Sequence, residues 1–143
     1  MKKLFTLLAL TYLFNMSAQI STGNTNNSGT YSSAIGFQTS AVGDYSTAMG
    51  YNTTSSASYC TAMGYATTAS GSTSTAMGVN TTASGDGSTS LGNLTIASAN
   101  NSSAMGASTT ASGEVSTAMG YATTANGSTS TSMGLSTTAN GEV

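Results

Sequence analysis

The 143-residue chain has no histidine, no proline and no tryptophan, one cysteine, and only two basic residues, Lys2 and Lys3. Each absence removes a class of function. Neutralisation of phosphates by cations dominates nucleic-acid affinity, so a chain without Lys, Arg or His beyond residue 3 is not expected to bind DNA, RNA or anionic lipid surfaces. Without His or a later Lys there is no usual general base and no group to activate a Ser hydroxyl. Cys60 has neither a cationic neighbour to lower its pKa nor an intrachain partner. One Cys and no His do not supply a metal-ligand set. Calcium-binding solenoids carry dense Asp in Gly-Gly-x-Gly-x-Asp repeats, and that pattern is absent. The four acids, Asp44, Asp86, Glu114 and Glu142, occupy one turn position in different repeat units. They are therefore not paired across a substrate as carboxylate catalysis requires, and are expected to be solvated turn residues. An enzyme, a metal and a cofactor are all excluded by this reading.

The first residues stand apart from the rest. Lys2 and Lys3 precede an apolar stretch over residues 4–14, and Asn15-Met16-Ser17-Ala18-Gln19 is small and polar. That is the layout of a secretory signal peptide, residues 1–19, with cleavage after Ala18 or Gln19. Eleven apolar residues are too few to cross a bilayer, which takes about 20; retention as a membrane anchor is the other reading. Removal leaves no cation and four acids, a formal charge of −4, with no membrane-spanning segment in the mature chain. Residues 20–29 are polar and rich in Gly and Asn, and read as an N-terminal cap or linker.

From residue 30 to residue 143 one period governs the chain. Gly36, Gly50, Gly64, Gly78, Gly92, Gly106, Gly120 and Gly134 are spaced fourteen apart without insertion or loss. A strict short period is the signature of a solenoid, each repeat forming one coil. It also opposes disorder, because an unfolded chain has no reason to keep register. Directly before each Gly stands a long apolar residue: Ile35, Met49, Met63, Met77, Leu91, Met105, Met119 or Met133. Two before it is Ala or Ser, and four before it is Ser, except for Cys60. Three after it is Thr in all eight units, five after it is Ala or Ser55, and seven after it is Gly, Ala57 or Ala99. Gly every seven residues among dense Thr and Ser disfavours helix. Each unit instead predicts two short strands, such as residues 46–50 and 81–85, with the recurrent glycines at the coil turns.

Alternation along a strand separates two faces. Ala48 falls with Ser46 and Gly50; Met49 falls with Tyr45, Thr47 and Tyr51. Fourteen residues enclose little space, so small residues facing inward predict an outward Met-type row about 38 Å long at a coil spacing of about 4.8 Å. The opposite parity would place Met inside the coil. An outward row of that size is more apolar surface than soluble monomers usually expose, and predicts packing against further copies of the chain.

Ser-x-Ala-Met/Ile-Gly followed by x-x-Thr-x-Ala-x-Gly resembles the head repeat of the YadA-like trimeric autotransporter adhesins, with Ser32-Ser33-Ala34-Ile35-Gly36 nearest to the usual form. The resemblance covers the whole repeat region. It implies an all-β, left-handed parallel β-roll, three of which associate as a homotrimer through the Ile/Met/Leu row. It also implies a secreted protein at the bacterial outer-membrane surface that attaches to extracellular matrix, cells or abiotic surfaces. Heptads for a stalk and strands for a barrel anchor are not recognisable in the 143 residues, so the resemblance is to the head alone.

Tyr31, Tyr45 and Tyr59 share one position in successive units, and Phe37, Tyr51, Tyr65 and Tyr121 share another. Such columns form stacked ladders; the first is the candidate ligand-facing patch, because Tyr offers large contact area at low entropic cost. Two other functions compete with adhesion: ordering of ice by the eight-membered Thr column, and service as an inert fibre spacer.

Overall fold

The computed structural model describes residues 23–141, and the expected signal segment lies outside the described residues. Every regular element among the described residues is a strand. Eight have five residues: Ser33–Phe37, Thr47–Tyr51, Thr61–Tyr65, Thr75–Val79, Thr89–Asn93, Ser103–Ala107, Thr117–Tyr121 and Thr131–Leu135. Nine have two: Asn26–Asn27, Ser40–Ala41, Thr54–Ser55, Thr68–Ala69, Thr82–Ala83, Ile96–Ala97, Thr110–Ala111, Thr124–Ala125 and Thr138–Ala139. The long strands stack into one parallel sheet and the short strands into a second, each in strict chain order. Partners lie fourteen residues apart throughout, as in Thr47↔Thr61 and Met49↔Met63 or Thr68↔Thr82. The fold is a parallel β-solenoid of about eight coils, as the period requires.

Most backbone hydrogen bonds run between coils, with a bond inside the turn such as Ser74 N–H to Gly71 O at 3.1 Å. The Thr47 amide donates to Cys60 O at 2.9 Å, Ser40 to Thr53 O at 2.8 Å, and Asn52 to Phe37 O at 2.9 Å. The ladder continues through the bends, where Tyr45 N–H reaches Thr30 O at 2.8 Å. Each coil thus satisfies its backbone on its neighbours, which is why fourteen residues with almost no apolar bulk can fold.

The interior is built from the small columns. Ala62, Ala76, Ala104 and Ala118 face Ala69, Ala83, Ala111 and Ala125 across the lumen, while Ala48 faces Ser55 and Ala97 faces Ser90, all with no accessible surface. Met49 and its equivalents lie on the other face of the long strands. The large side chains are outside because the lumen has no room for them.

The structure departs from the sequence reading in four places. The stack begins earlier: Asn26–Asn27 pairs with Ser40–Ala41 inside the stretch 20–29 read as a cap. Thr25 and Gly29 are fourteen residues before Thr39 and Gly43, so the half-coil was visible in the spacing, but it lacks the anchoring Gly. Second, Gly36, Gly50, Gly64, Gly78, Gly92, Gly106, Gly120 and Gly134 are not coil turns; each is the fourth residue of a long strand. At Gly50 the reason is explicit. Its φ is 126°, and a Cβ there would lie 2.0 Å from the carbonyl oxygen of Gly64 in the next coil. The bends fall instead two residues after this Gly, as at Asn52 (φ 53°), and five before it, as at Tyr45 (φ 57°). Third, the second strand is two residues rather than five, because the segment after it turns; Gly85 and Ser84 both donate to Ala97 O. Fourth, the Thr column faces inward: Thr39, Thr53, Thr67, Thr81, Thr95, Thr109 and Thr123 are all buried. Thr and the Ala two residues on share a face by strand alternation, so an ice-ordering surface on this column has no basis.

Candidate functional site

Parity puts three columns on the outer face of the long-strand sheet: Ser or Thr at the first strand position, the Ile/Met/Leu row at the third, and the Phe/Tyr-containing column at the fifth. The third-position row comprises Ile35, Met49, Met63, Met77, Leu91, Met105, Met119 and Met133. Paired register sets these one above another along the whole stack. Stacking covers part of each side chain; Met77 stays 39% exposed and Met133 60%. The Gly beside each Met carries no side chain, which leaves the apolar row flanked by bare backbone.

Two aromatic ladders border this row in the first three coils. Tyr31, Tyr45 and Tyr59 stack with ring centroids 5.2 and 5.1 Å apart. Phe37, Tyr51 and Tyr65 stack at 5.6 and 5.2 Å. The first ladder rises from the left-handed bend (φ 55°, 57° and 60°), which throws its rings outward. Tyr31 is 73% exposed and Tyr59 61%. Further along the stack the first column becomes Thr73, Gly87, Asn101, Val115 and Thr129, so this ladder is confined to one end. Tyr121 stands at the far end without an aromatic neighbour in register, between Ala107 and Leu135.

Two of the acids, Asp44 and Asp86, have structural partners. Thr30 N–H donates to Asp44 Oδ1 at 2.8 Å and Ser72 N–H to Asp86 Oδ1 at 2.8 Å, each carboxylate holding the turn of the preceding coil. Asp86 N–H in turn donates to Asn100 Oδ1 at 3.1 Å, so an Asn serves the same purpose. The spacing places the acids in one turn, but it does not reveal that Asp44 and Asp86 clamp neighbouring coils.

Cys60 occupies the inward Ser column, buried, with its thiol against Ala57 O at 2.9 Å and Ala69 O at 3.4 Å. Burial pushes the thiol up from its ordinary pKa, only partly offset by its hydrogen bonds to Ala57 and Ser55. Inside the lumen, Ser90 Oγ and Thr95 Oγ1 meet at 2.7 Å, and Ser132 Oγ and Thr137 Oγ1 at 2.9 Å. Where Ala replaces that Ser, the hydroxyls of Thr53, Thr67 and Thr81 have no partner. Among the described residues no three of His, Cys, Asp and Glu converge, and no helix is long and apolar enough to cross a membrane.

These features define a class: a repeat solenoid whose distinguishing chemistry lies on an outer sheet face, an apolar row edged by aromatic ladders. The family model for the YadA head domain repeat matches residues 28–53, 55–81, 69–95, 97–123 and 111–137. The chain belongs to the YadA head repeat family, whose repeats form heads of the trimeric autotransporter adhesin type. No curated protein matches it.

Proposed function

We propose that this chain is the head of a surface adhesin, assembled as a homotrimer through the Ile35–Met133 row and presenting its aromatic end to a ligand. The outward apolar row carries the reading. Burying such a side chain fully is worth about 1.5–3 kcal/mol, and the row repeats in every coil of the stack. Soluble single chains rarely leave a continuous apolar strip of that length in water. Family membership supports the number three, since YadA head repeats imply trimer formation in general. The signal-like layout of residues 1–19 supports secretion, and the family supports a place at the bacterial surface. The exposed Tyr31, Tyr45 and Tyr59 ladder is the contact patch for matrix, cell or abiotic surfaces, because it combines rigid rings with phenolic donors. The protein acts by contact, without catalysis.

Light scattering of the secreted chain tests assembly: the mass of three chains is expected. Met63→Lys in combination with Met105→Lys is expected to give the mass of one chain with its strand spectrum intact, since like charges would face each other across the interface. A wild-type mass of one chain would overturn the reading. Binding to collagen, fibronectin, cells and bare surfaces, compared with a Tyr31→Ser/Tyr45→Ser/Tyr59→Ser variant, tests the patch; undiminished binding by the variant would remove it.

A further inference from the structure

All six methionines among the described residues stand in one column: Met49, Met63, Met77, Met105, Met119 and Met133. None is in the lumen. The column does not need Met for shape, since Ile35 and Leu91 occupy it in the same register. Thioether is therefore spent on one face, while the single thiol, Cys60, is buried. What thioether adds to an aliphatic row is reactivity toward two-electron oxidants.

We infer that this column is an oxidative modification site that controls assembly, with hydrogen peroxide or a hypohalous acid as the reagent. With peroxide, the thioether sulfur attacks one peroxide oxygen. The S–O bond forms as the O–O bond breaks, and the proton on the transferred oxygen passes to the departing hydroxide. Sulfur loses two electrons, peroxide gains them, and the products are methionine sulfoxide and water. The sulfoxide is polar, so burying it between copies strips water from a strong acceptor in a row that offers it no donor. Neighbouring thioethers lie one coil apart, about 4.8 Å, so successive sulfoxides would face the partner as a polar strip. The lumen contains no Met, so the coil itself survives. The reaction belongs to the unassembled chain, because assembly covers the row. Met133 and Met77 are the most exposed of the six and react first.

This inference rests on the trimer reading above, and one experiment separates the two. In a Cys60→Ser background throughout, so that no thiol meets the oxidant, the chain is oxidised with hydrogen peroxide while unfolded in urea, returned to buffer, and measured by light scattering, circular dichroism and intact mass. It is compared with untreated chain and with a variant carrying Leu at all six Met positions. The oxidised wild type is expected to keep its strand spectrum but run as a single chain. The Leu variant is expected to assemble whether or not it was treated, and methionine sulfoxide reductase with a thiol reductant is expected to restore wild-type assembly. Oxidised wild type assembling like the untreated chain, losing its strand spectrum, or failing to recover on reduction would overturn the switch, as would equal sensitivity of the Leu variant. Untreated wild type at single-chain mass would instead refute the trimer.

Discussion

Replacing Gly64 by Ala and Gly134 by Ala are chemically the same change, at φ 124° and 118°, in the same strand position. Their surroundings differ. At Gly64 the added Cβ would stand 2.0 Å from Gly78 O and 2.9 Å from its carbonyl carbon. A carbon–oxygen contact needs about 3.3 Å, so the two coils must part by more than an ångström against a spacing of about 4.8 Å. At Gly134 the nearest atom is Thr137 Cγ2, at 3.7 Å. Both substitutions incur the strain of a non-glycine residue in a glycine-only region, about 1–3 kcal/mol. Gly64→Ala also disrupts two or three inter-coil backbone hydrogen bonds at about 1 kcal/mol each. The expected losses are roughly 3–6 kcal/mol for Gly64→Ala and roughly 1–3 kcal/mol for Gly134→Ala. Urea unfolding followed by far-ultraviolet circular dichroism, at one protein concentration, reads both. Equal losses would refute the argument that coil contact fixes this column, leaving backbone strain alone. Two neutral variants would refute both parts.

Ala62 and Thr67 are five residues apart, as Ser90 and Thr95 are, so Ala62→Ser should give the unpartnered Thr67 hydroxyl its mate. A gain of about 1 kcal/mol in thermal or urea stability is expected, whereas Ala62→Val should lose about 1–3 kcal/mol by overfilling the lumen. Tyr45 stacks on both Tyr31 and Tyr59, so Tyr45→Ala should cost about twice as much as Tyr31→Ala, at about 0.5–1.5 kcal/mol per lost ring pair; equal costs in urea unfolding would contradict a ladder. The thiol of Cys60 titrates from an ordinary value of 9.0 when unfolded and from a raised value when folded. Its share of stability is therefore complete below that ordinary value and is lost as pH climbs from there through the raised folded value. Wild type should weaken relative to Cys60→Ser above pH 9, and identical pH–stability curves would show the thiol to be solvated.

The spacing of the glycines made the coil length, the parallel pairing and the register legible, because any other register would misalign every repeated column at once. The size of the lumen pointed toward the parity the structure shows, Ala48 inside and Met49 outside, over the opposite one. What stayed hidden depends on backbone angles rather than residue type. Tyr45, Ala66 and Leu94 adopt left-handed bends (φ 57°, 51° and 54°) that no propensity assigns to them, so the bends were sought at glycine. The inward Thr column was misjudged by one step of alternation, although Thr53 and Ser55 had to share a face. The hydroxyl pair Ser90–Thr95 was hidden because it spans the lumen between two strands whose approach the sequence does not state.

Near-identity of the coils has a cost in positional information. Slide one copy along another by a single coil and Met49 meets what Met63 met, Thr47 what Thr61 met, with almost every contact restored. Contacts made by the repeated columns alone leave axial alignment of neighbouring copies almost degenerate. The places where the pattern lapses break the tie: Leu91 within the methionine row, and the rings of Tyr31, Tyr45 and Tyr59 at one end only. In the proposed trimer those irregularities would serve as alignment marks, and a head with perfectly uniform repeats would bind its copies equally well and align them poorly.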